Sequence, residues 1–281
     1  AIEIAKKLLG FLPQNNRDKP RVLNKNFEVK RRLTNIEDLL PENSKMPFDM
    51  HKIIYQLVDN RDFLEIKPFY AKNMITGYAR LNGGTVGIVA NQSMNMGGVI
   101  DARASSKAAR FVRICDSYNV PLIQLQDSPG VMIGRGEEEK GIIGHGSKML
   151  HAYTEATVPK ITVILRNSYA GAQLCMCNKP IGADFVFAWP TAEIALVGPQ
   201  TAASVLFSKE IANAENPEEI EQLRIEEYSE KFVNPYMAAE RGYIDDVIEP
   251  EETRAKVIWA LDILKNKREE RPWKKHGNIR L

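Results

Sequence analysis

The sequence predicts an α/β fold, a spiral built from a recurring unit of two strands and a helix. Two features carry that expectation. Between Asp127 and Phe207 an apolar, β-type run twice ends in a loop of small residues, and each time a helical pattern follows. The two passages also echo each other: Val120-Pro121-Leu122-Ile123 leads into one strand and Val158-Pro159-Lys160-Ile161 into the other. At 281 residues the chain can bury a sizeable core as one large domain, or two.

The elements follow in order. Ile2 to Leu12 has helical periodicity and stops before Pro13. Gln14 to Pro47 is polar, rich in Asn, Arg and Lys, and reads as an extended connection on a surface. Asp49 to Asp59 resumes a helical pattern through Ile53, Ile54, Leu57 and Val58. Phe63 to Ile66 and Ile75 to Leu81 read as strands. Asn82-Gly83-Gly84 then signals a hairpin, with Thr85 to Ala90 as the partner strand. Ala104, Ala108, Phe111, Val112 and Cys115 form one face of an amphipathic helix. Pro121 to Leu125 is a buried strand, Ile142 to Tyr153 a helix and Val158 to Leu165 the next strand. A short helix begins over Ala172 to Cys177. Phe185 to Phe187 and Glu193 to Val197 are strands, and Thr201 to Phe207 opens a helix. Ala212 to Tyr228 is a charged helical pair broken at Pro217. Ala238 to Tyr243 and Thr253 to Lys265 close the chain as helices. The basic tail from Arg271 to His276 is expected to pack through Trp273.

Bulk properties narrow the function. Hydrophobic residues make up 44%, charged residues 26%, and the formal net charge is +2. This balance gives no global argument for a nucleic-acid partner or a membrane surface. No apolar run approaches the roughly 20 residues that span a bilayer, and the first residues do not read as a secretion signal. The three cysteines, Cys115, Cys175 and Cys177, are an odd number, which favours reduced thiols in an intracellular protein. Cys175-x-Cys177 has the wrong spacing for a zinc knuckle and no second pair to join, so no metal is expected in this chain.

The chemistry is expected at the strand-to-helix turns. Backbone N–H groups there can hold a developing negative charge, and the second turn, Ser168-Tyr169-Ala170-Gly171-Ala172, is the place for catalysis. Glu137, Glu138 and Glu139 suit the first turn of the helix that follows them, where they complement its dipole; that reading is preferred to a metal site. His145 and His151 are six apart, do not share a helical face, and are read as packing or surface residues. No Ser-His-Asp or Cys-His arrangement is evident.

Long ordered stretches add a resemblance. They are FYAKNMITGYARLNGGTVGIVANQ (Phe69 to Gln92), SSKAARFVRICDSYNVPLI (Ser105 to Ile123) and DSPG (Asp127 to Gly130). GIIGHGSKMLHAYTEATVPKITVI (Gly141 to Ile164), AWPTAEIALVG (Ala188 to Gly198) and the ending RPWKKHGNIRL continue them. The sequence resembles, over nearly its whole length, the carboxyltransferase β subunit of biotin-dependent acyl-CoA carboxylases of the propionyl-CoA carboxylase type. The family's subunit has two related crotonase-like (ClpP/crotonase) halves, and this chain is similar to the C-terminal one. The resemblance thus implies residues 1–47 as a helix and connection from a preceding half, and 48–281 as the C-terminal carboxyltransferase domain. The start Ala-Ile-Glu-Ile, without Met, is that of a processed product or of a piece of a longer polypeptide, and the resemblance favours a piece.

The resemblance also implies an activity. A carboxyl group moves from carboxybiotin to the α-carbon of a propionyl-CoA-like thioester, a ligase or transferase chemistry. Biotin arrives on a biotin carboxyl carrier protein or biotinylated subunit. The acyl-CoA is held by the N-terminal carboxyltransferase half of another subunit in a homo-oligomer, a hexamer of subunits. The setting is the cytoplasm, or the mitochondrial matrix in a eukaryote. By resemblance the N–H groups of Gly171 and Ala172 form the biotin-side oxyanion hole, and Gly130, Val131, Gly134, Tyr169 and Ala170 line the biotin pocket. On the residues alone, a glycine needed for close helix–strand packing competes evenly with the hole.

The sequence also departs from the family. Members commonly read Pro-Gly-Phe and then a Gly-Thr-Ala-Gln-Glu-like stretch, where this chain has Pro129-Gly130-Val131 and Gly134-Arg135-Gly136-Glu137-Glu138. Arg135 is either a carboxylate-binding residue or a solvated loop arginine. Propionyl-type members often carry Tyr-Asp at Gln173-Leu174, so Gln173, Leu174 and Arg135 are the candidates for substrate selectivity. Three other functions stay open. They are the carboxyltransferase subunit of a biotin-dependent acyl-CoA decarboxylase coupled to a sodium pump, a biotin-independent crotonase-type enzyme, and a non-catalytic assembly half. The second would need an acid–base residue at the site, and the sequence shows no convincing one.

Overall fold

The sheet grows outward from a hairpin in the computed structural model, which describes residues 1–23, 27–29, 31–35, 39–41, 43, 46–275 and 277–279. Strands β2 (Met74–Leu81) and β3 (Gly84–Asn91) pair antiparallel from Leu81↔Gly84 outward. Asn82 and Gly83 between them both have positive φ, 49° and 79°, as a two-residue hairpin turn demands. Their N–H groups donate to the buried carboxylate of Asp59, at 3.2 and 2.8 Å. Strand β1 (Phe63–Glu65) adds antiparallel to β2. From β3 onward the sheet is parallel, through β4 (Leu122–Ser128), β5 (Lys160–Tyr169), β6 (Phe185–Ala188) and β8 (Asp246–Val247).

Strand β5 is long enough to pair twice. Ile161–Ile164 bond to β6, and Asn167–Tyr169 bond to β7 (Glu193–Ala195). In chain order β6, β7 and the helix α7 (Pro199–Leu206) follow one another as a β-β-α unit of the expected kind. Parallel neighbours need crossovers, and helices α3 (Ala102–Ser117) and α5 (Ile142–Glu155) supply them. The expected face of α3, Ala104, Ala108, Phe111, Val112 and Cys115, is buried with Met149, Ala152 and Tyr153 of α5 on one side of the sheet. Burying side chains of the size of Phe111 and Val112 contributes roughly 1.5–3 kcal/mol each. On the other side, α2 (Met50–Leu57) and α11 (Thr253–Leu264) cover Ile88, Ile123, Leu125 and Val163. Asp49 caps α2 by accepting the His51 N–H, and Asp101 caps α3 by accepting the Ala104 N–H.

Several boundaries differ from expectation. Helix α1 (Ile2–Leu9) is shorter than its periodicity, and among the described residues no α-helix or strand lies between it and α2. Pro217 starts α9 (Pro217–Phe232) after the short α8 (Ser208–Asn213), as proline does at a first helical position. Helix α10 (Pro235–Glu240) begins before the expected Ala238, because Asn234 caps it by accepting the Met237 N–H and Pro235 presets the first turn.

Two expectations fail. Glu137–Glu139 do not sit in the first turn of α5. They belong to a separate helix, α4 (Arg135–Glu139), and Gly141 in a left-handed conformation divides it from α5. The buried Glu137 carboxylate accepts the N–H of Ala102 at 3.3 Å, so it caps α3, a helix it precedes in space but follows in sequence. A hydrogen bond from Lys140 above all holds Glu137 below its usual carboxylate range. Trp273 does not anchor the tail; it is 86% exposed, and His276 lies outside the described residues.

Candidate active site

The carboxyl ends of β4 and β5 are built around one buried ion pair. The ladder between them slips, so that Gln126 faces Ile164 but Ser128 faces Ser168. The extra residues on β5 form a bulge, and it turns Arg166 and Asn167 toward Asp127. One carboxylate oxygen of Asp127 accepts from Arg166 Nη2 at 2.9 Å. The other accepts from Asn167 N at 3.2 Å and Asn167 Nδ2 at 2.9 Å. Asp127 and Arg166 are both almost wholly buried. Arg166 also donates to Met46 O at 3.0 Å and lies over the Phe48 ring, which pins the connection to the sheet.

The first turn, Pro129 to Gly134, is fastened to the loop that follows β3. Ile100 N donates to Gly130 O at 3.0 Å, and Met132 N donates to Ile100 O at 2.9 Å. That loop lies directly on the end of β4. Gly98 has φ +75°, and a Cβ there would come 2.6 Å from Asp127 O, so no other residue fits. Gly134 opens α4 with open space around it. Arg135 is exposed, sits on that helix rather than in a loop, and bonds to Glu139 at 2.8 Å.

The second turn follows β5. Tyr169 is the last strand residue, and Ala170 adopts φ 48°, ψ −133°, which is rare for a residue with a Cβ. Helix α6 (Gly171–Cys175) starts at once. Three hydrogen bonds hold the turn: Ala170 N to Ala195 O at 3.2 Å, and Gln173 Nε2 to both Ser168 O and Ala195 O at 2.9 Å. The other end of α6 is held by Thr162, whose hydroxyl donates to Cys177 O at 2.5 Å. Among the described residues, the N–H groups of Gly171 and Ala172 have no protein acceptor. A Cβ at Gly171 would come 3.1 Å from Cγ2 of Val131. The two turns therefore face each other, and the absent side chain of Gly171 leaves the space between them. Leu174 is 38% exposed, on the same short helix.

A cavity of about 650 Å³ opens beside these turns, on the side of α7 (Pro199–Leu206) and α9. Its walls include Asn167, Tyr169, Glu193 and Gln200, with Met46 and Met94 exposed at the rim. Of the residues predicted from sequence, Tyr169 lines it. Gly130, Val131, Gly134, Ala170, Gly171, Ala172, Gln173, Leu174 and Arg135 lie outside its walls. Tyr169 donates its hydroxyl proton to Glu193. Burial first, and the Glu193 carboxylate second, push the Tyr169 phenol well above its ordinary value. A second cavity of about 500 Å³ opens at the other end of the sheet, beside Pro121 and Pro159, away from both turns.

Sequence reading missed Arg166, Asn167 and Glu193. Arg166 and the amide of Asn167 interrupt an apolar strand just before Ser168, a usable signal for the first two, because a buried charge needs a partner. Glu193 had none. The histidines fall where expected: His145 bonds to Ser106 across α3 and α5, and His151 lies beside Glu155. Burial pushes the thiols of Cys175 and Cys177 up to about 12, which keeps them unreactive. Among the described residues no cluster of His, Cys, Asp and Glu could hold a metal ion, and no helix is long and apolar enough to cross a membrane.

Comparison with known proteins gives concordant matches. A family model described as carboxyl transferase domain matches residues 1–279. The methylmalonyl-CoA carboxyltransferase 12S subunit of Propionibacterium freudenreichii subsp. shermanii is 52% identical over 276 residues, covering 98% of this chain and 52% of that protein. The methylmalonyl-CoA decarboxylase subunit alpha of Veillonella parvula is 49% identical over 274 residues, covering 98% and 52%. The crystal structure of transcarboxylase 12S with methylmalonyl-CoA and methylmalonic acid bound matches with a TM-score of 0.95 at 52% identity, over 99% of this chain and 53% of that one. The β subunit of geranyl-CoA carboxylase from P. aeruginosa matches with a TM-score of 0.75 at 27% identity, over 98% and 52%. The chain spans about half the length of the curated relatives it matches.

Proposed function

The chain belongs to the carboxyl transferase domain family, with its crotonase-like fold, and on that premise we propose that it is the biotin-side half of an acyl-CoA carboxyltransferase. The reaction moves a carboxyl group from carboxybiotin to the α-carbon of a propionyl-CoA-like thioester. The observation that carries this reading is the pair of N–H groups on Gly171 and Ala172, without a protein acceptor among the described residues, at a turn whose glycine leaves space against Val131. Biotin, carried in by a partner protein, supplies the carboxyl group and the ureido base. The residues fit such a guest, because a ureido oxygen is an acceptor and the turn offers two donors. In this role the N–H groups of Gly171 and Ala172 would hold the negative charge on that oxygen. Donors aimed in advance at developing charge are worth more than donors that must reorganise. The Asp127–Arg166 pair and the backbone of β7 keep the turn in place.

The acyl-CoA side belongs to the N-terminal half of another subunit, in an oligomer such as a hexamer working in the cytoplasm. The isolated chain, assayed with free biotin and methylmalonyl-CoA, is accordingly expected to show negligible transfer. Turnover equal to that of a complete subunit would overturn the half-site reading.

One rival has specific support. The Veillonella parvula decarboxylase subunit is nearly as similar as the carboxyltransferase 12S subunit. The same half-site would serve transfer in reverse, and a co-purifying membrane partner would mark that role.

Leu174 is read as the selectivity position. It places a partly exposed apolar side chain two residues beyond Ala172. Leu174→Asp in the assembled enzyme is expected to change the ratio of kcat/KM among acetyl-, propionyl- and butyryl-CoA by about 10-fold, the scale of one methylene's fit. Ratios that stay constant would reassign Leu174 to helix packing.

A further inference from the structure

Strand β7 reaches the turn before α6 in three ways, and one of them depends on a side chain of β7. The first two use the carbonyl of Ala195, which accepts Ala170 N at 3.2 Å and Gln173 Nε2 at 2.9 Å. Any residue at position 195 would offer that oxygen. The third is the hydroxyl of Tyr169 donating to the carboxylate of Glu193. Glu193 stands opposite Asn167 in the β5–β7 register, and Tyr169 lies two residues further along β5, hence on the same face. Tyr169 is only 8% exposed, so its ring has little freedom once the hydroxyl is held. Burial and the neighbouring carboxylate keep the phenol protonated, and so a donor, throughout the neutral range.

The next residue is Ala170, at φ 48° and ψ −133°. A residue with a Cβ stays in so sparse a region only when its surroundings overdetermine it. The orientation of the following two peptides, which carry the N–H groups of Gly171 and Ala172, depends on that conformation. Glu193 touches neither N–H and acts on them through Tyr169.

We propose that Glu193 is a positioning residue for carboxyl transfer: by holding the Tyr169 hydroxyl it fixes the end of β5 and thereby aims the Gly171 and Ala172 N–H groups. The inference rests on the reading of that turn as the biotin-side oxyanion hole. It differs from a role in which Glu193, as a wall of the 650 Å³ cavity, touches a substrate directly.

The test uses the assembled enzyme, with methylmalonyl-CoA as carboxyl donor and free biotin as acceptor. Tyr169→Phe, Glu193→Ala, the double variant, Glu193→Gln and Gly171→Val are compared. Tyr169→Phe and Glu193→Ala are each expected to lower kcat by roughly 10- to 100-fold, the scale of a misaimed catalytic group, with little change in KM for the acyl-CoA. The double variant should be no slower than the slower single one, since both break one link. Glu193→Gln keeps an oxygen that accepts the phenol proton, so it should retain most of the wild-type kcat. It also carries the comparison with Tyr169→Phe if Glu193→Ala does not assemble. Unchanged kcat in Tyr169→Phe would overturn the proposal, as would multiplicative losses in the double variant. A loss in Glu193→Ala without one in Tyr169→Phe would point to direct contact instead. Gly171→Val separates this inference from the one beneath it. If Gly171→Val transfers at the wild-type rate, the oxyanion-hole reading itself falls. If it is crippled while Tyr169→Phe and Glu193→Ala are not, only the positioning role falls.

Discussion

Gly171→Val in the assembled enzyme is expected to lower carboxyl transfer by about 10²–10³-fold, the usual cost of losing an oxyanion donor, with the fold intact. Gly171 is helical and needs no positive φ, so the backbone accepts a side chain there. What a side chain changes is the gap between the two turns. The Cβ alone would come 3.1 Å from Cγ2 of Val131, and the two methyl groups of valine would occupy the approach to the N–H groups. Rate and thermal melting are measured on the same preparation. A wild-type rate would refute the assignment. If valine lowers the melting temperature sharply, Gly171→Ala takes its place, with a smaller loss of rate expected in the same direction.

Asp127→Leu is expected to destabilise the protein by about 3–5 kcal/mol, because it leaves a buried guanidinium without its counter-charge. The carboxylate accepts three hydrogen bonds from Arg166 and Asn167, so its removal also frees the bulge that shapes the end of β5. The double variant Asp127→Leu/Arg166→Met should recover part of the lost stability, since apolar residues of similar volume can replace a buried ion pair. Its activity should stay low, because Asn167 loses the Asp127 carboxylate and the Met46 carbonyl loses the Arg166 donor. Chemical denaturation of the three proteins checks the order. A double variant less stable than Asp127→Leu would show that the pair is not the source of the loss.

What could be read from the chain was local. The hairpin needs only Asn82 and Gly83, whose backbones tolerate positive φ. The buried face of α3 follows from apolar residues recurring at helical spacing, and all five expected positions are buried. The second turn was visible because small residues follow an apolar run. The exposed tail was misread for the same local reason: an aromatic residue suggests an anchor, but whether Trp273 is buried depends on what faces it.

Neighbours within a few residues were enough for the α/β class, the order of most strands and helices, and the place of the two turns, but not for the short elements α4 and β8. The remaining contacts arise between segments far apart in the chain. Glu137 caps α3 although it stands 35 residues from Ala102. Asp127 meets Arg166 because β4 and β5 lie side by side with a bulge between them. Val131 faces Gly171, and Glu193 finds Tyr169, through strand pairing. Periodicity and turn chemistry report the conformation of one segment. A buried charge, a cap or a positioned donor is completed by a partner that chain folding brings from elsewhere, and its spacing in sequence carries no regular signal.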